Sequence, residues 1–120
     1  MSESKRFTID SQGDTLIVSA ARDVGTLAED ELREEWDELL ERLDQYNTKH
    51  AIIDLTELDY FGSIMLYLMV RLWKRVSAGG GKLAICNVSK VGEEILKTAN
   101  FDTLWPIVSS REEALAAVQE

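Results

Sequence analysis

The period of the apolar positions changes several times along the chain, and each change marks a new element. Phe7–Ile9 and Thr15–Ser19 are short runs of alternating or continuous apolar character. The polar, glycine-containing link Asp10-Ser11-Gln12-Gly13-Asp14 between them predicts a β-hairpin. Ala20–Leu27 reads as a loop, with Thr26 or Asp30 opening the first helix. From Glu29 to Tyr46, Leu32, Trp36, Leu39, Leu40 and Leu43 recur at helical spacing and gather into one stripe. Glu31, Glu34, Glu35, Asp37, Glu38, Glu41 and Asp44 fill the remaining positions, the pattern of a solvated helix face and not of a metal site. Asn47-Thr48-Lys49-His50 breaks the period. His50, the single histidine, has no triad partner nearby in sequence and reads as a surface residue.

Ala51–Leu55 is continuously apolar except at Asp54, as expected of a central strand covered on both faces. Lys82–Cys86 repeats that pattern after a helical segment over 63–78. Strand, helix and strand in this order predict a right-handed crossover and parallel pairing. Ser89–Ala99 reads as a short helix with Val91, Ile95 and Leu96 apolar. Trp105–Val108 reads as a last edge strand, where Pro106 is tolerated. Ser110–Val118 closes the chain as a helix, with Ser110 at the N-cap and Glu112 and Glu113 in the first turn. The expectation is one α/β domain over residues 1–120 with a mixed central sheet. Its core should include Trp36, Leu39, Leu43, Ile53, Met69, Leu72 and Ile85.

The helix that begins at Ser63 carries the candidate chemistry. Met65, Leu68, Met69, Leu72 and Val76 fall on one side, facing the sheet. Ser63, Tyr67, Val70 and Lys74 fall on the other, flanked by Ile64 and Arg71. Ile64, Tyr67 and Val70 are thus apolar surface that the core does not use, a pattern that marks partner sites. Ser63 is expected to be the N-cap, with its hydroxyl accepting from backbone N–H groups. A phosphate there would meet converging N–H groups and a favourable dipole, while placing about two negative charges on the apolar face. Arg71, about 12 Å further along the axis, is too distant to be assumed a clamp for it.

Composition narrows the function by exclusion. A chain of 120 residues is the size of one ordinary domain. With 22 acidic and 13 basic side chains, a net charge of -9 disfavours nucleic acid and anionic lipid and is compatible with a basic protein partner. The lone Cys86 excludes an internal disulfide and reads as a small buried thiol. The longest apolar run, Ile64–Val70, is about two helical turns, whereas spanning a membrane takes roughly 20 residues. The first residues lead into a strand pattern instead of a signal-peptide core, so the cytoplasm is expected. Gly79-Gly80-Gly81-Lys82 lacks a following Ser or Thr and comes after a helix, so it reads as a helix stop and not a phosphate loop. No nucleophile–base pair, metal set or cofactor motif stands out, which disfavours an enzyme.

Asp54-Leu55 followed by Asp59-Tyr60-Phe61-Gly62-Ser63-Ile64-Met65-Leu66 resembles the motif region of STAS domains of the anti-sigma factor antagonist family. Trp73-Lys74-Arg75, Gly80-Gly81-Lys82-Leu83, Leu104-Trp105-Pro106-Ile107 and Glu112-Glu113-Ala114-Leu115 are similar to its later landmarks in order and spacing. The resemblance implies a sheet with helices mainly on one face. It also implies a non-enzymatic protein-binding module whose partner is an anti-sigma factor with serine-kinase activity. Ser63 then stands at the serine that the partner phosphorylates, and Asp23 matches an aspartate of the partner surface. The implied contact set is Asp23, Gly62, Ser63, Ile64, Tyr67, Val70 and Arg71. Two departures stand out. Gly62 replaces the motif aspartate beside the serine, and Met65 replaces a glycine, which should enlarge the surface that a kinase approaches. The alternative is a scaffold that is not phosphorylated, a subunit of a stressosome-like or transporter-associated complex.

Overall fold

The chain runs through its sheet in sequence order. The computed structural model describes residues 6–22, 28–45 and 47–120. Strands β1 (Phe7–Gln12), β2 (Thr15–Ala20), β3 (His50–Asp54), β4 (Leu83–Cys86) and β5 (Ile107–Val108) are neighbours in that order. The hairpin β1–β2 is antiparallel, from Phe7 opposite Ala20 to Gln12 opposite Thr15. It turns through Gly13 at φ 63°. The other three pairings are parallel, with Ile17 beside Ile52, Ile52 beside Ala84 and Ile85 beside Ile107. Parallel neighbours require crossovers. These are supplied by α1 (Glu29–Gln45), α2 (Ser63–Ala78) and α3 (Lys90–Thr98), with α4 (Arg111–Val118) following the last strand.

Alternation along the strands explains the two layers. Leu16, Val18, Ala51, Ile53, Leu83 and Ile85 face a core built with Leu32, Trp36, Leu39, Leu40 and Leu43 of α1, the buried side of α2, and Leu96 of α3. Ile17, Ile52, Ala84 and Cys86 point the other way and pack beneath Ala114 and Val118 of α4. Covering on both faces is why β3 and β4 read as continuous apolar runs. The helices do lie mainly on one face, three against one, and all seven expected core residues are buried.

Element edges depart from the sequence expectation for physical reasons. The last strand is only two residues long because Trp105 turns into the main core, 2% exposed, against Trp73 and Phe101. Pro106 precedes the strand, its carbonyl accepting from the Ile85 N–H at 2.9 Å. His50 is not a surface residue. It opens β3 at 5% exposure, where Nδ1 accepts from the Lys82 N–H at 3.0 Å and Nε2 lies 3.9 Å from Asp14 Oδ2. The triple glycine does end α2. Gly80 takes φ 82°, and a Cβ on Gly81 would lie 1.6 Å from the Lys49 carbonyl oxygen, so only glycine passes there. The candidate helix start Thr26 and the helix end Tyr46 lie outside the described residues.

Candidate functional site

The start of α2 is built one residue differently from the sequence expectation. The N-cap is Gly62, in extended conformation at φ -106° and ψ -165°, and its carbonyl accepts from the N–H groups of Met65 (3.1 Å) and Leu66 (3.3 Å). Ser63 is therefore the first helical residue, not the cap. Its side chain is exposed, and its hydroxyl forms no hydrogen bond among the described residues. Met65 and Leu66 are bonded to Gly62, which leaves the N–H groups of Ser63 and Ile64 as the uncompensated donors beside this free hydroxyl. A Cβ added at Gly62 would meet nothing within 4 Å, so no steric demand keeps an aspartate out.

Tyr67, one turn further on, is 44% exposed and held between two arginines. The Arg33 guanidinium of α1 lies 4.8 Å over the ring, with Nη1 3.5 Å from the phenol oxygen, and Arg71 lies at 5.9 Å. Each arginine is also paired on α1: Arg33 with Glu29 at 3.0 Å, Arg71 with Asp37 at 2.7 Å, and below them Arg75 with Asp44. The Glu29 carboxylate, with help from Tyr67, holds the Arg33 guanidinium above its usual pKa.

Of the expected contact residues, the structure brings Ser63 and Tyr67 together on open surface beside half-exposed Gly62. Ile64 and Val70 are half-buried and pack against the core, which narrows the apolar patch. Arg71 is engaged by Asp37. Met65 is 3% exposed and fills core, so its replacement of a glycine adds no obstruction at the surface. Asp23 lies outside the described residues. Sequence reasoning missed exposed apolar surface on the α3 side, where Leu66, Val91 and Ile95 line an open groove of about 390 Å³ and Val91 is 52% exposed. The signal was present: Gly92 and Leu96 share the buried side of α3, which leaves Val91 and Ile95 offset from it.

A second polar centre sits at the carboxyl ends of the parallel strands. Asp54 is nearly buried. Its Oδ1 accepts from the Thr56 hydroxyl (2.6 Å), the Thr56 N–H (3.0 Å) and the Asn87 amide (3.1 Å), and its Oδ2 from Arg111 Nε (2.6 Å). Arg111 Nη2 also donates to Ser19 Oγ at 3.1 Å. Burial alone would raise the Asp54 pKa, but the hydrogen bonds from Thr56, Arg111 and Asn87 outweigh it and hold the carboxyl below its usual range. Burial, with the nearby Asp54 charge, pushes the Cys86 thiol up to about 12, which leaves it protonated and unreactive. Beside this centre lies an open cleft of about 620 Å³ whose lining includes Thr56, Asn87, Ser109, Glu93 and Glu113. Two carboxylates and no lysine or arginine among its lining residues oppose a phosphate-bearing ligand.

The STAS domain family model matches residues 6–114 of this chain. The chain belongs to the STAS domain family. A STAS anti-sigma factor antagonist domain from Planctomyces limnophilus is 28% identical, over 95% of this chain and 98% of that one, with a TM-score of 0.80. BtrV of Bordetella bronchiseptica, a candidate anti-sigma factor antagonist, is 29% identical over 69 residues. That match spans 58% of this STAS domain chain and 60% of the curated relative's length. The fold is also that of the anti-sigma factor antagonist SpoIIAA in its unphosphorylated form, at 15% identity and a TM-score of 0.76, covering 94% of this chain and 96% of that one. No helix among the described residues of this STAS domain is long and apolar enough to cross a membrane.

Proposed function

We propose that this STAS domain, residues 1–120, is a non-enzymatic regulatory module of the cytoplasm that binds an anti-sigma factor with serine-kinase activity. Binding uses the face at the start of α2, with Gly62, Ser63, Ile64, Tyr67, Val70 and Arg71, together with Asp23, as the proposed contact set. Phosphorylation of Ser63 ends it. In that step the γ-phosphoryl group of ATP passes to Ser63 Oγ, ADP leaves, and the hydroxyl proton goes to a base on the kinase. The new group carries about two negative charges in the middle of the contact face, while the helix start tolerates them. The observation that carries this reading is the Ser63 hydroxyl, exposed and unbonded at the first residue of α2.

Gly62 favours a second reading, a scaffold without phosphorylation, because the carboxylate of the family motif is missing beside the serine. One experiment separates the two. The chain is incubated with ATP and a histidine-kinase-like ATPase encoded near its gene, then examined by intact mass and peptide mapping. One phosphate on Ser63, absent from Ser63→Ala, is the expected result. No phosphate from any such kinase would leave the scaffold reading.

A further inference from the structure

Arg33 reaches from α1 to cover the Tyr67 ring and meet its phenol oxygen, and its carboxylate partner is Glu29. Its ion pair with Glu29 is solvent-exposed and lies within one helix, and such pairs contribute little. Its position is more informative. Ser63 and Tyr67 are four residues apart on α2, so their Cβ atoms are about 5–6 Å apart on one face. A long side chain on a helix leans toward the N-terminus, which lays the Tyr67 ring over the turn that carries Ser63. The Arg33 guanidinium sits 4.8 Å above that ring.

We infer that Arg33 is the counter-charge for a phosphate on Ser63: a guanidinium delivered from α1 and parked on Tyr67 until the modification appears. This rests on the modification proposed above. Phosphoserine offers three acceptor oxygens and a planar guanidinium matches two of them, so Arg33 exchanges the Glu29 carboxylate for the phosphate. Tyr67 keeps the head group close in both states. The other cation at the ring, Arg71, starts two turns beyond Ser63 and is held by Asp37 at 2.7 Å, so it stays where it is. Lys74 is further still, about 16 Å along the axis from Ser63. Glu57 and Asp59 precede Ser63 in the chain, and the Arg22 guanidinium on that side is held by Glu57 at 3.4 Å.

The test needs no kinase, so its failure is distinct from the failure of the phosphorylation reading. Phosphoserine is installed at position 63 by codon reassignment, and the phosphate is titrated by phosphorus NMR at low salt in three backgrounds: unchanged, Arg33→Gln and Arg71→Gln. The second phosphate ionisation should fall roughly half a unit lower in the unchanged chain than in Arg33→Gln, since a nearby cation favours the doubly charged form. The difference should shrink in molar salt, and Arg71→Gln should titrate like the unchanged chain. Amide spectra of each variant confirm the fold. Equal titration of the unchanged and Arg33→Gln chains would overturn the inference, as would a shift in Arg71→Gln as large as that in Arg33→Gln.

Discussion

Among the described residues three helices carry a serine at their start, and they are of two kinds. Ser89 and Ser110 are N-caps. Their side-chain oxygens accept from the N–H groups of Gly92 at 2.9 Å and Glu113 at 3.1 Å. Ser89 also donates to the Asp59 carbonyl at 2.7 Å, and Glu113 reaches back to the N–H of Ser109 at 2.9 Å. Ser63 sits one position further in and bonds to nothing among the described residues, because Gly62 takes the cap position without a side chain to fill it. Where the start of α3 or α4 needs a serine, it stands at the cap and its oxygen is used. The serine at α2 is not explained in that way, and its free hydroxyl is available for chemistry from outside.

The two kinds of helix start should respond differently to substitution. The largest effect is expected beneath α4, where Asp54→Ala strands the Asn87 amide and leaves Arg111 with only Ser19 and Asp10. A cost of about 2–3 kcal/mol in urea unfolding is expected, less than for a wholly buried pair because Arg111 is partly exposed. Acid sharpens the same contrast. The Asp54 carboxyl is held below its unfolded value of 3.8, so its stabilisation is complete above that pH and is lost as pH falls through the lower folded value. His50 titrates earlier. Burial lowers its pKa from 6.5, against the Asp14 charge, so stability is unaffected above about pH 6.5 and declines as the unfolded chain takes up the proton below it. Urea midpoints should therefore fall as pH drops below about 6.5 in the unchanged chain and stay flatter in His50→Gln.

Next in size, Ser110→Ala and Ser89→Ala should each cost about 1 kcal/mol, while Ser63→Ala should leave the midpoint nearly unchanged. A cost at Ser63 as large as at Ser110 would erase the distinction between the two kinds of serine. The smallest effect expected is a gain. Gly62→Asp has open space for its side chain and supplies the missing cap, which is worth a few tenths of a kcal/mol. A destabilised Gly62→Asp would show that the backbone there is not the extended cap described.

Residues whose role depends on near neighbours in sequence were legible. The stripe Leu32, Trp36, Leu39, Leu40 and Leu43 announced α1, and continuous apolar runs announced β3 and β4. Residues whose role depends on distant partners were not. Asp54 looked like an exception in a strand because Asn87 and Arg111, which justify it, are 33 and 57 residues away. His50 looked superficial because the N–H that fills its ring nitrogen is 32 residues on. At the site, the face carrying Ser63 and Tyr67 followed from helical phase. The one-residue offset of the cap did not, since it turns on the extended backbone of Gly62. Nor did the arginine clamp, which needs the packing of α1 against α2.

In the proposed function the free hydroxyl of Ser63 governs binding, not folding. Calorimetric titration of the candidate anti-sigma factor with the unchanged chain, Ser63→Ala and Ser63→Asp tests it most directly, with urea midpoints recorded on the same samples. Equal midpoints are expected throughout, with the alanine form binding like the unchanged chain and the aspartate form at least about tenfold more weakly, a difference of roughly 1.4 kcal/mol. Equal affinity of all three forms, or weaker binding that tracks lost stability, would contradict it.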